Sequence, residues 1–127
     1  NQVERVIKYA TARVEPDKIL MGVPNYGYDW PLPFDRGTTV AESISNGEAL
    51  ARAARYGASV EYDQVAQSPY YRYTDPEGLE HEVWFEDGRS MGAKLDLAQE
   101  YRLQGISIWT IMNPFPGGEE VLHEWLE

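Results

Sequence analysis

Val3, Val6, Ile7, Ala10 and Val14 recur at helical intervals at the start of the chain, with charged residues among them. The spacing predicts an amphipathic helix of about three turns, closed by Pro16 and a short polar connection. Ile19-Leu20-Met21-Gly22-Val23 follows as an apolar run without alternation. Such a run fits a strand covered on both faces, as in a parallel sheet between helices. Pro24 ends it, and Asn25-Tyr26-Gly27-Tyr28-Asp29-Trp30 forms a turn-prone aromatic segment.

The pattern changes between Pro31 and Val83. Pro31, Pro33, Gly37 and Thr38-Thr39 read as a loop leaving the sheet, and Ala49, Leu50, Ala53 and Ala54 as a small helical stripe ended by Gly57. Val60 and Tyr62 alternate with polar neighbours as in a half-exposed strand. Tyr71 and Tyr73 lie on one side of Asp75-Pro76-Glu77-Gly78, and Val83 and Phe85 on the other, which predicts an antiparallel hairpin. Asp87 is an N-cap candidate for a helix carrying Met91, Leu95, Ala98 and Arg102 on one face. Gly105 then introduces a second buried-strand run, Ile106 to Ile111. Asn113 to Gly118 form a loop, and Val121, Leu122, Trp125 and Leu126 a last short helix. The order is α, β, insertion, α, β, α. It implies an α/β fold with two parallel strands joined by a long right-handed crossover. The expected division is residues 1–33 and 84–127 for the α/β part and 34–83 for an α+β insertion.

Nine Tyr, four Trp and three Phe in 127 residues are a heavy aromatic load. Tyr and Trp join an apolar face to a polar edge, which suits a wet cleft as well as a core. The formal net charge of -10 disfavours nucleic acid and anionic membrane surfaces as partners. No cysteine is present, so disulfides, thiolate nucleophiles and Cys-based metal sites are absent. No run is long enough to span a membrane, and the chain begins at Asn1, which reads as a piece of something longer. His81 and His123 lack metal-ligand spacing and read as exposed polar residues. Gly117-Gly118 lacks the Lys-Ser/Thr continuation of a phosphate loop. No cofactor is expected.

Several segments together resemble family 18 glycoside hydrolases, in particular the bacterial branch of spore germination and cortex-lytic N-acetylglucosaminidases. Ile19 to Trp30, with Gly22-Val23-Pro24 and Tyr26-Gly27, is similar to the family's seventh barrel strand. Trp84-Phe85-Glu86-Asp87, with Ser90 and Lys94, resembles the entry to the seventh helix. Gly105 to Trp109 resembles the eighth strand with its floor tryptophan. Tyr28-Asp29-Trp30 and Ala66-Gln67-Ser68-Pro69-Tyr70 carry the flavour of the spore branch, and Tyr28 stands where many chitinases have Arg. The resemblance implies the C-terminal part of a TIM (β/α)8 barrel, its last two strands and their helices, carrying the insertion.

The resemblance also implies substrate-assisted retaining hydrolysis of N-acetylglucosamine-containing glycan, with spore cortex or cell-wall peptidoglycan outside the cell as the substrate. The acid Glu belongs to an Asp-x-x-Asp-x-Asp-x-Glu run that this sequence does not contain. The chain alone is therefore expected to be inactive and to supply a wall of the cleft. Barrel sites lie at the C-terminal strand ends, which makes Trp109, Tyr26, Tyr28 and Trp30 the candidate substrate contacts. Trp109 would stack under a pyranose ring, against the alternative of a core tryptophan. Tyr26 would donate to a sugar or cap a buried backbone group, and Trp30 would line an outer subsite or pack against the insertion. Trp84 reads as packing, Asp87 with Ser90 as a helix cap, and Glu86 with Asp87 as unfit for a two-carboxylate mechanism. A chitinase-like glycan-binding protein without catalysis is the competing reading. Open strand edges predict self-association of the isolated chain.

Overall fold

A computed structural model describes residues 1–127. Helix α1 spans Gln2–Thr11, with the Asn1 side chain accepting from the Glu4 N–H at 3.0 Å. Strand β1, Leu20–Pro24, follows a single 3-10 turn at Pro16–Lys18. It pairs in parallel with β7, Gly105–Trp109, in register from Leu20 opposite Gly105 to Pro24 opposite Trp109. Met21 and Val23 point into a core made with Ile7, Met91, Leu95, Ala98 and Phe115. The apolar run predicted cover on both faces, whereas Leu20 and Gly22 are exposed and only one face is packed. In the same way Val6 and Val14 of the predicted α1 stripe lie open, and only Ile7 of that helix is buried.

The second sheet has five antiparallel strands in the order β3-β2-β6-β5-β4. These are β2 (Tyr26–Pro31), β3 (Glu42–Ser45), β4 (Glu61–Asp63), β5 (Ser68–Thr74) and β6 (Glu80–Trp84). The hairpin expected around Asp75 is β5–β6, with Tyr71 opposite Val83 and Tyr73 opposite His81. Asp75 closes it by accepting from the N–H groups of Glu77 and Leu79, both at 2.9 Å.

The chain enters this second sheet at Tyr26, not after residue 33. The residues expected as a turn-prone aromatic segment instead form β2, the second strand of the five. The reason is alternation. Gly27 and Asp29 are buried, while Tyr26, Tyr28 and Trp30 face outward, the two-sided pattern of an antiparallel strand with one wet face. Gly27 is required by proximity: a Cβ there would stand 2.5 Å from the Trp84 carbonyl oxygen and 2.7 Å from Phe85 Cβ.

Helix α2, Asn46–Arg55, is capped by Ser45, which accepts from the Glu48 N–H, and covers the inner face of the sheet. Ala49 and Ala53 pack there with Ile44, Tyr71, Val83 and Phe85, and the Tyr71 hydroxyl donates to the Ala49 carbonyl at 2.6 Å. Helix α3, Gly88–Glu100, begins with the expected Asp87 cap, completed reciprocally by Ser90. Helix α4, Gly118–Leu126, packs on α3. No helix is long and apolar enough to cross a membrane.

Candidate functional site

The parallel pair ends at Pro24 and Trp109, and Asn25 is the residue by which the chain turns from the first sheet into the second. Asn25 is 2% exposed. Its backbone N–H donates to the Trp109 carbonyl at 3.0 Å. Its side-chain amide donates to the carbonyls of Thr110 (2.6 Å) and Asn113 (3.0 Å) and accepts from the Thr110 N–H (2.6 Å). Trp109 itself is 73% exposed, so its ring is presented and not packed.

On the other side of Asn25, strand alternation places Tyr26, Tyr28 and Trp30 on the outward face of β2. Tyr26 and Tyr28 meet edge to face at 5.6 Å between ring centroids, Tyr28 and Trp30 lie 6.0 Å apart, and Trp30 meets Phe34 at 5.7 Å. Trp84 sits opposite Tyr28 on β6 and stacks on Tyr70 of β5 at 4.7 Å. Its indole N–H donates to Glu82 at 2.7 Å, and Arg72 holds the same carboxylate. Trp30, Leu32, Phe34, Glu82 and Trp84 line a shallow notch of about 180 Å³. Burial pushes the Tyr26 phenol up, with Tyr28 and Glu86 adding to it, so the hydroxyl remains a donor at neutral pH. The four predicted site residues thus fall into a β2 row of three and Trp109 across the Asn25 turn.

Two buried charge clusters escaped the sequence reading. Asp29, 2% exposed, accepts from Arg52 at 2.6 Å, from the Tyr73 hydroxyl, and faces His81 Nδ1 at 2.7 Å. His81 Nε2 lies 3.0 Å from Asp75. His81 is therefore not the exposed polar residue the isolated sequence predicted; it is held between two carboxylates, and both ring nitrogens are taken. The alternation that turns Tyr28 and Trp30 outward was the available signal, since it turns Asp29 inward. The second cluster is Glu86 with Lys94, both oxygens 2.9 Å from Nζ. Burial raises the Glu86 pKa while Lys94 opposes it.

Chemically, the outward surface offers aromatic faces, indole and phenol donors. The buried carboxylates of Asp29 and Glu86 are committed to internal partners, and Asp87 caps α3. The surface suits a ligand with apolar C–H faces and hydroxyl edges, which is the chemistry of a sugar ring.

The chain is 48% identical over 114 residues to the cortical fragment-lytic enzyme of Bacillus subtilis, covering 90% of this chain and 26% of that protein. It is 34% identical over 120 residues to human di-N-acetylchitobiase, covering 80% of this chain and 31% of that protein. The crystal structure of the Bacillus megaterium spore cortex-lytic enzyme SleL superposes with a TM-score of 0.90 at 42% identity, covering 96% of this chain and 28% of that one. The chain thus spans about a third or less of the length of these relatives. The pattern of glycosyl hydrolases family 18 matches residues 1–113, and the chain belongs to that family.

Proposed function

We propose that this chain forms a wall of the substrate cleft in a glycoside hydrolase acting on N-acetylglucosamine-containing glycan, with spore cortex peptidoglycan as the substrate. The parallel pair β1–β7 represents the last two strands of a (β/α)8 barrel, and the five-stranded sheet its insertion. The 0.90 TM-score against SleL over 28% of that chain supports this placement, and the names of the relatives support the substrate and a spore-associated location.

The observation that carries the reading is Trp109, 73% exposed at a strand end beside the outward row of Tyr26, Tyr28 and Trp30. An open indole at the C-terminal end of a parallel strand is placed to stack under a pyranose ring. Tyr26 and Tyr28 donate to hydroxyl or acetamido groups, and Trp30 extends the surface outward. Hydrolysis is substrate-assisted: an acid elsewhere in the full-length protein protonates the glycosidic oxygen, the substrate's own acetamido oxygen displaces the leaving sugar at the anomeric carbon, and water, giving up a proton to the same group, opens the resulting oxazolinium ion with net retention, a recognised departure from the two-carboxylate scheme.

The test is Trp109→Ala in the full-length protein, assayed on cortex peptidoglycan fragments. Turnover is expected to fall by about 100-fold, the scale of loss for a mispositioned substrate. Unchanged turnover would remove Trp109 from the site. A second reading, a glycan-binding protein without catalysis, rests on the same outward aromatic row with Trp109. Glycan binding by the full-length protein with no reducing-end release would select it.

A further inference from the structure

Within this chain the Trp109 ring is 73% exposed. The contacts this chain makes that bear on its direction come through the backbone on either side. Three backbone groups on the Trp109–Asn113 segment converge on one amide side chain, and a fourth contact comes from the backbone of the same residue, Asn25. We propose that Asn25 is a positioning residue that sets the orientation of Trp109 for glycan stacking and fixes it relative to the Tyr26–Tyr28–Trp30 row. The inference rests on the reading of Trp109 as a substrate contact.

The chemistry is specific to an amide. The Thr110 N–H needs an acceptor, and the carbonyls of Thr110 and Asn113 both need donors. Only Asn and Gln carry both functions at one planar end, and Gln is longer by a methylene. Asp offers the acceptor but turns a carboxylate toward two carbonyl oxygens. Ala and Leu leave the part-buried Thr110 N–H and Asn113 carbonyl without their side-chain partner, and the Thr110 carbonyl with only the Asn113 N–H. The side chain is 2% exposed, so solvent does not substitute for it. Asn25 also begins the turn into β2, and Tyr26 follows it directly. One residue therefore joins the two halves of the aromatic surface, although Asn25 and Thr110 are separated by 85 positions in sequence.

A residue that merely stabilised the fold would lower activity independently of Trp109. A positioning residue acts through it, so removing Trp109 first should leave Asn25 nothing to do. The experiment uses the full-length protein and four forms: unchanged, Asn25→Asp, Trp109→Ala and the double variant. Turnover of cortex peptidoglycan fragments is measured below the melting temperature of each. Asn25→Ala provides a second truncation should the aspartate form fold poorly. In parallel, 5-fluorotryptophan is incorporated, and the ¹⁹F resonance of Trp109 is assigned by its loss in Trp109→Phe.

The expected result is a loss of about tenfold or more for Asn25→Asp, with the double variant no worse than Trp109→Ala alone. The Trp109 resonance should shift or split while those of Trp30, Trp84 and Trp125 stay in place. Losses that multiply in the double variant, or an unmoved Trp109 resonance, would overturn the proposal. If Trp109→Ala leaves turnover intact, the substrate reading fails by itself, and the ¹⁹F signal alone then decides whether Asn25 orients the ring.

Discussion

Arg52 on α2 places Nη1 2.6 Å from Oδ2 of Asp29, a residue buried in the middle of β2. The same guanidinium reaches Glu42 at 2.9 Å and Glu48 at 3.2 Å, so one side chain ties the helix to two strands of the five-stranded sheet. The Glu42 hydrogen bonds and that to Asp29 outweigh burial and raise the Arg52 pKa further. Removing one partner of a buried pair leaves the other charge uncompensated. Arg52→Met is expected to destabilise the protein by about 3–5 kcal/mol, read from chemical denaturation, while Glu42→Gln, on the exposed side, costs well under that. Equal losses for the two would mean that the buried contact carries no special weight.

Glu86 and Lys94 allow a cleaner separation of charge from packing. Lys94→Met should cost about 3–5 kcal/mol, because Glu86 stays buried without its cation. The double variant Glu86→Leu with Lys94→Met should recover most of that loss, since apolar side chains of similar volume remove the desolvation penalty of both ions. A double variant as unstable as the single one would show that the Glu86 side chain has a further partner.

His81 makes the stability of the sheet pH-dependent. Burial lowers its proton affinity, but hydrogen bonds to Asp75 and Asp29 more than offset this, and the pKa lies above the ordinary 6.5. A group whose pKa rises on folding stabilises the fold while protonated. Its contribution is complete below about pH 6.5 and is lost as pH rises through the folded-state value. Asp75 runs the other way: the His81 hydrogen bond, then the Leu79 N–H, hold it below the ordinary 3.8. Its contribution is present above about pH 3.9 and is lost as pH falls through the folded value. The Tm of the full-length protein should therefore fall between about pH 6 and pH 8, and His81→Gln should flatten that slope. An identical slope in the variant would place the titrating group elsewhere.

Gly27 has no room for a side chain. Gly27→Ala is expected to cost at least about 1–3 kcal/mol, the usual penalty of overpacking, by pushing β2 away from Trp84 and Phe85 on β6. Gly47, whose would-be Cβ meets only Ser45 Oγ at 3.9 Å, is the internal control and should tolerate Ala. Similar melting shifts at both positions would contradict the close approach.

The isolated 127-residue chain leaves the outer edges of β1 and β7 unpaired, with Leu20, Ile111 and Met112 exposed beside them. It is expected to self-associate in light scattering and to release no reducing ends from glycan. A monodisperse monomer with a cooperative melt would count against the first expectation, and glycan cleavage by the purified chain against the second.

Local features of this protein were legible in its residues because their causes lie within a few positions. Asp87 and Ser90 cap α3 from three residues apart, and the Asp75 turn sets up β5–β6. Tyr26, Tyr28 and Trp30 stood out as candidate contacts, but their segment read as a turn and not as a strand. What the row belonged to was not legible: the strand leaves one sheet for another at Asn25, a choice fixed by pairing with Glu42–Ser45 and with His81–Trp84. The same holds for Asp29 with Arg52, His81 and Tyr73, brought together across 23, 52 and 44 positions. Sequence decides which residues prefer a helix, a strand or a turn. Which buried charge meets which partner follows from sheet register and helix placement, and those are settled only when distant segments pack and the cost of leaving a charge unpaired selects among them.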